Sequence, residues 1–392
     1  MESFTFHVPT KFVFGRAAEL KAGEEAKALG ARKVLVHYGS GSCVRSGLLA
    51  RIEASLREAG LDAVCLGGVV PNPRLGLIKE GVALARKEKV DLVLAVGGGS
   101  VIDSAKGIAA GVLDGGDIWD FYERTRMPEQ ALPVGCVLTI AAAGSESSWA
   151  SVVTREDGRK RSLHAECVKP KFALLNPELT FTLPAYQTAS GAADMMAHVL
   201  ERYYSPSAGV DLTDRLCEGI LLSIIDNLPR ALREPASYDA RANLMWASTI
   251  AHNNTCGVGR VQDWGSHALE HELSGLYDCA HGAGLAVVFP AWMRYAVEHA
   301  GGAARTAQLA SRVFGVDPAA GTERERALEG IARFKAFLAS CGMPTSFKGL
   351  GARREDIPRL VDMLEPERRT IGQFLRLDRQ TATAIYELAC QD

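Results

Sequence analysis

The run Asp91-Leu-Val-Leu-Ala-Val96, continued directly by Gly97-Gly98-Gly99-Ser100, limits the fold more than any other stretch of this chain. Apolar residues without polar alternation make a strand buried on both faces, the condition of a parallel sheet covered by helices. The glycines end that strand in a turn the backbone can press against a ligand, and a helix predicted from Ser100 to Gly111 presents its amide end there. Strands at Lys33–Tyr38 and Ala63–Val70 alternate upstream with helices at Leu48–Glu58 and Leu75–Glu88. Downstream, Pro133–Ile140 reads as a strand, Val152–Arg161 as a hairpin turning at Asp157-Gly158, and Phe172–Pro177 as the end of the sheet. The expectation is an α/β dinucleotide-binding domain over residues 1–182.

Beyond Thr182 the texture changes. Helical periodicity runs through 187–204, 211–233, 238–254, 264–274, 284–300, 304–314 and 322–340, which predicts an all-α domain over 183–392. Thr182-Leu183-Pro184 reads as the boundary, with threonine as a cap and proline in a first turn. A chain of 392 residues exceeds one core, and without a low-complexity linker the two domains are expected to pack directly around a cleft.

The helical half carries the chemistry. Asp194 and His198, four residues apart, project from one helix face; His267 and His271 repeat the spacing; His281 opens another predicted helix at Ala280-His281-Gly282. Three helices thus offer one aspartate and three histidines to a divalent ion. A single histidine says little, but this joint spacing, beside small residues that leave room, points to a metal site.

On the cofactor side the glycine run is not a G-x-G-x-x-G fingerprint. A second glycine-rich turn, Gly39, Ser40, Gly41 and Ser42, follows the Lys33–Tyr38 strand and borders the expected adenosine end. Sites selecting NAD place an acid at the ribose 2′-hydroxyl; this turn has none, which favours NADP, with NAD as the alternative. Other partners are excluded on composition: 44 basic against 46 acidic residues, net −2, offer no basic block for nucleic acid or anionic lipid. No apolar run of about 20 residues is present, and nine scattered cysteines form no C-x-x-C pair, so a soluble cytoplasmic protein with reduced thiols is expected.

Gly97-Gly-Gly-Ser-Val-Ile-Asp103, Gly144-Ser145-Glu146 after a strand, Asp194-x-x-x-His198, and His267-x-x-x-His271 ahead of His281-Gly282 together resemble the iron-containing (group III) alcohol dehydrogenases. Within that family the likeness is to butanol dehydrogenases and NADP-dependent aldehyde reductases, and it covers nearly the whole chain. It implies a dehydroquinate-synthase-like architecture, with Asp194, His198, His267 and His281 as ligands of Fe²⁺ or Zn²⁺. It also implies a homodimer, His271 as an unliganded histidine beside the substrate, and Lys160 near the nicotinamide. Thr182 joins Gly39–Ser42, Gly97–Ser100, Asp103, Thr139 and Lys160 in the cofactor set. Two departures stand out: Ala143 precedes Gly144 where the family carries threonine, leaving Thr139 to supply a hydroxyl, and Trp149 either narrows the substrate space or packs between domains.

The chemistry expected is interconversion of small to medium uncharged alcohols and aldehydes, such as butanol and butyraldehyde. Met195, Met196, Ala197, Trp264, Gly265, Leu269, Leu276 and Tyr277 are the expected, mostly apolar lining, and His271 is either a proton relay or a structural residue. The competing readings are a dehydroquinate-synthase-like or polyol-phosphate enzyme, which needs cations the metal segments lack, and a non-catalytic nucleotide-binding protein.

Overall fold

The structure is a computed structural model that describes residues 1–39 and 41–391. It divides into two compact units, His7–Leu183 and Met1–Phe6 together with the chain from Pro184. The first six residues therefore belong with the helices, where the sequence had grouped them with the sheet. The amide of Glu2 donates to Gly259 O, and the amino terminus to Ala208 O.

In the His7–Leu183 unit six strands form one parallel sheet: β1 (Lys11–Phe14), β2 (Lys33–Gly39), β3 (Asp62–Val69), β4 (Leu92–Gly97), β5 (Val134–Leu138) and β8 (Phe172–Leu175), in the order β1-β8-β5-β4-β2-β3. β6 (Ala150–Thr154) and β7 (Lys160–His164) make the separate antiparallel hairpin. Helices α1 (Ala22–Ala28), α2 (Ser42–Arg45), α3 (Leu48–Glu58), α4 (Leu75–Glu88), α5 (Gly99–Leu113) and α6 (Trp119–Tyr122) fill the connections. Every residue of β4 is buried, as its apolar run requires. The last strand in sequence is not the last in space, because β1 adds outside β8 with Lys11 opposite Phe172.

Strand order reverses between β2 and β4: β2 leads by α3 to β3 on one side, and β4 by α5 to β5 on the other. In open α/β sheets the carboxyl edge at such a reversal is where ligands bind. Tyr38 pairs with Val96 and Gly97 with Leu138, so Gly39, Gly97 and Thr139 stand at the carboxyl ends of three adjacent strands.

The second unit is helical: α7 (Ala185–Tyr203), α8 (Asp211–Arg233), α9 (Tyr238–His252), α10 (Gly265–Tyr277), α11 (His281–His299), α12 (Ala303–Arg312), α13 (Glu323–Ser340), α14 (Phe347–Leu350), α15 (Ile357–Leu364) and α16 (Arg379–Ala389). From Thr188 to Tyr203 every residue of α7 is buried, which makes it the central helix. Its small residues let neighbours come close: a Cβ on Gly282 of α11 would stand 1.8 Å from the Ser190 carbonyl oxygen. That approach brings His281 beside Asp194. Met195, Met196 and Leu269, expected to line a substrate pocket, are at most 1% exposed and are core residues instead. They sit on faces turned into the helical packing, which i, i+4 spacing to the histidines did not reveal. Among the described residues no helix is long and apolar enough to cross a membrane.

Candidate metal and cofactor sites

A charge on α7 has to be paired, because burying an ion alone is prohibitive. Asp194 and His198 lie one turn apart on this helix, both about 5% exposed, with His198 Nε2 3.3 Å from Asp194 Oδ1. His267, from the first turn of α10, and His281, the first residue of α11, bring their ring nitrogens to the same carboxylate, and one donor atom from each of Asp194, His267 and His281 lies within 4.8 Å of the others. His281 Nε2 is 3.8 Å from Asp194 Oδ1. The His198 and His267 rings are 4.5 Å apart.

Two buried carboxylates decide which nitrogens face inward. Glu201 Oε1 accepts from His267 Nδ1 at 2.9 Å, and Glu270 Oε2 accepts from His281 Nδ1. A carboxylate accepts only, so each Nδ1 carries a proton, which in a neutral ring leaves the lone pair on Nε2. Nε2 of His267 has no hydrogen-bond partner among the described residues, and burial together with the neighbouring rings of His252 and His267 holds the His198 imidazole well below its ordinary pKa, hence neutral. Several lone pairs with no proton to share, gathered around one carboxylate, fit a divalent cation.

Glu201 does more than orient a ring. Its Oε1 also accepts from Ser266 Oγ at 2.6 Å and the His267 amide at 3.0 Å, while Oε2 takes the Trp264 amide at 2.7 Å. It thus caps α10, which has no side-chain cap of its own, from a different helix. Trp264 sits at φ 70°, a left-handed conformation costly for a bulky residue and sustained here by that hydrogen bond. The sequence reading gave Glu201 and Glu270 no role. Glu201 was detectable as the third member of a 194, 198, 201 stripe on one helix face. Glu270 serves a histidine on another helix, which spacing along its own helix does not signal.

His271 lies half-buried one turn beyond His267, its ring 5.5 Å from His281. Trp149 is 48% exposed and stacks on His164.

In the sheet unit, β4 delivers Gly97 to the start of α5, whose N-terminus has no side-chain cap. A Cβ on Gly97 would stand 2.4 Å from Val101 Cγ2, so only glycine makes this turn. Gly98, Gly99 and Ser100 complete it, and the Thr139 amide donates to Gly97 O at 3.1 Å. Asp103 Oδ1 accepts from Ser145 Oγ and its Oδ2 from the Val152 amide. It braces the 145–152 segment together with the buried Lys106, whose Nζ reaches Ser145 O at 2.7 Å and Ala150 O at 2.7 Å. Gly41 at φ 138° and the exposed Ser42 continue the turn after β2, and Ser40 lies outside the described residues. Lys160 is buried on the hairpin with Nζ 3.0 Å from Asn72 Oδ1, and Thr182 is exposed at the end of the unit.

With this geometry in place, comparison with known proteins assigns the class. Residues 9–177 match the iron-containing alcohol dehydrogenase family and residues 188–390 the C-terminal part of the Fe-containing alcohol dehydrogenase family. The chain belongs to the iron-containing alcohol dehydrogenase family, and is thus an oxidoreductase whose relatives turn over alcohols and aldehydes. It is 40% identical to the probable NADH-dependent butanol dehydrogenase 1 of Bacillus subtilis, over 98% of this chain and 99% of the relative. It is 37% identical to the NADPH-dependent aldehyde reductase YqhD of Escherichia coli, over 99% of this chain and 100% of that one. The crystal structure of NADH-dependent butanol dehydrogenase A from Thermotoga maritima superposes with a TM-score of 0.96 at 42% identity, covering 100% of this chain and 99% of its own.

Proposed function

We propose that this protein is a metal-dependent, NADP(H)-linked alcohol dehydrogenase that works best as a reductase of small to medium uncharged aldehydes. The convergence of Asp194, His267 and His281, with His198 Nε2 3.3 Å from the same Asp194 carboxylate and Glu201 and Glu270 behind two of the rings, carries the reading. Those four residues would hold one Fe²⁺ or Zn²⁺, which supplies Lewis acidity to the substrate oxygen while the nicotinamide supplies the hydride. Glu201 and Glu270 keep the Nε2 lone pairs of His267 and His281 available. His271, half-exposed, moves a proton between the substrate oxygen and water. Gly97–Ser100 receive the pyrophosphate at the α5 N-terminus. The nine cysteines are free thiols, which suits a cytoplasmic protein, and Leu212 and Leu216, exposed one turn apart on α8, suit a homodimer with twice the chain mass by sedimentation.

The test is NADPH oxidation across acetaldehyde to hexanal, before and after treatment with a chelator, with glyoxylate and glyceraldehyde 3-phosphate as charged controls. Efficiency is expected to rise with chain length and to vanish on chelation. A charged aldehyde as the best substrate overturns the assignment.

The choice of NADP rests on Gly39. Relatives are named for both nucleotides, but at the end of β2 this chain has no acid. Among the described residues a Cβ at Gly39 meets Val69 O at 3.5 Å and Val101 Cγ2 at 3.9 Å, ordinary contacts, so the β-carbon of an aspartate is accommodated there. Gly39→Asp is expected to swing the ratio of kcat/KM values toward NADH by about tenfold or more, since a charge pair near a protein surface is worth on the order of 1–4 kcal/mol. An unchanged ratio removes this turn from the adenosine ribose.

A further inference from the structure

One more histidine lies against the cluster. His252, the last residue of α9, packs on His198 with ring centroids 4.1 Å apart and planes tilted by 38°. Arg202, only 3% exposed, donates from Nη1 to the His198 carbonyl at 2.7 Å and from Nη2 to His252 Nδ1 at 2.9 Å. Its guanidinium also lies over the Trp264 ring, 4.7 Å from the centroid. Arginine only donates, so Nδ1 of His252 is the acceptor and the tautomer of that ring is fixed.

The three histidines of the cluster are not held alike. His267 and His281 are each fixed through Nδ1 by a buried carboxylate, so neither ring turns without breaking a charge-assisted hydrogen bond. Nδ1 of His198 has no hydrogen-bond partner among the described residues. The angle of its ring is set by what packs against it: His252 at 4.1 Å, His267 at 4.5 Å and Trp264 edge-on at 5.6 Å. Of these, His252 is the closest, and it is itself locked by an arginine that also grips the His198 backbone.

We propose that His252 is the positioning residue for His198, holding its Nε2 toward Asp194 by ring packing where the other two histidines use a carboxylate. The proposal rests on reading the cluster as the metal site. Two substitutions separate ring from hydrogen bond: His252→Phe keeps the ring and drops the acceptor for Arg202, whereas His252→Asn keeps an acceptor and drops the ring.

The full-length chain is loaded with Zn²⁺ or Co²⁺ and titrated with a competing chelator, with the visible spectrum of the Co²⁺ form as a second readout and circular dichroism as a folding control. His252→Asn is expected to weaken metal binding about 10- to 100-fold, the usual cost of losing a supporting residue behind a ligand, and to shift the Co²⁺ bands. His252→Phe is expected to return both to within about threefold of the wild type. Wild-type affinity and spectrum in His252→Asn, or a His252→Phe protein as weak as His252→Asn, overturns the proposal. A wild-type chain that binds neither ion overturns the metal reading beneath it, an outcome distinct from both.

Discussion

His267→Ala is expected to lose bound metal and reductase activity together. In the wild-type chain the imidazole offers Nε2 toward Asp194 and gives Nδ1–H to Glu201. Alanine removes a donor from the cluster and leaves Glu201, fully buried, one hydrogen bond short. Losing a contact to a buried charged group costs about 1–3 kcal/mol or more, so part of the effect is on stability. The larger effect is on catalysis: Lewis-acid stabilisation is worth several kcal/mol, and at about 1.4 kcal/mol per decade its loss lowers kcat/KM by roughly 10³-fold or more. Elemental analysis of the purified variant reads the first effect and NADPH oxidation the second. Nucleotide binding, followed by the fluorescence of NADPH, is expected to survive, because Gly97–Ser100 lie in the other compact unit. Undiminished metal in this variant removes His267 from the site.

The sheet was legible because its signals are local. β4 is a run of apolar residues ending in glycines, and Leu48–Glu58 and Leu75–Glu88 coincide with α3 and α4. β1 was missed for a local reason too: Lys11-Phe-Val-Phe14 is four residues long, and its strand character comes from pairing with β8, some 160 residues away in sequence. Of the helices after Ser340, α14 and α15 were missed because they span only four and eight residues. In the proposed site, spacing could pair Asp194 with His198, since i, i+4 residues share a face whatever the fold, whereas His281 comes in from another helix.

What surrounds them could not be read in that way. Glu270 looks like an ordinary polar position of α10 until α11 packs across it, and a Cβ on Gly284 would then stand 2.6 Å from its Oε1. Arg202 and His252 lie 50 residues apart and meet only because α9 crosses α7 near the cluster. Met195 and Met196 illustrate the converse: apolar residues beside the proposed ligands suggest a substrate lining, but on a helix buried all round they are core. Spacing along one helix identifies donors. Their supports come from tertiary packing.

Glu201→Gln is expected to be nearly as damaging as loss of a histidine, although it changes one atom and touches nothing outside the protein. The carboxylate meets four donors: Trp264 N, Ser266 Oγ, His267 N and His267 Nδ1. An amide has one accepting oxygen and turns its NH₂ toward donors on the other side, so at least one of these groups is left buried and facing a like partner. Each orphaned donor costs about 1–3 kcal/mol, and loss of the cap on α10 adds about 1 kcal/mol. Trp264, at φ 70°, donates its amide to that same carboxylate. A combined cost of about 2–5 kcal/mol corresponds to a fall in Tm of roughly 5–15 °C for a unit of this size. Metal affinity is expected to fall by about 10- to 100-fold as the His267 ring loses its charged acceptor. Differential scanning calorimetry of metal-free and metal-loaded protein separates the two parts, since the capping loss is present in both and the ligand-orienting loss only in the second. A Glu201→Gln protein with wild-type Tm in both states would mean that Glu201 neither caps α10 nor orients His267.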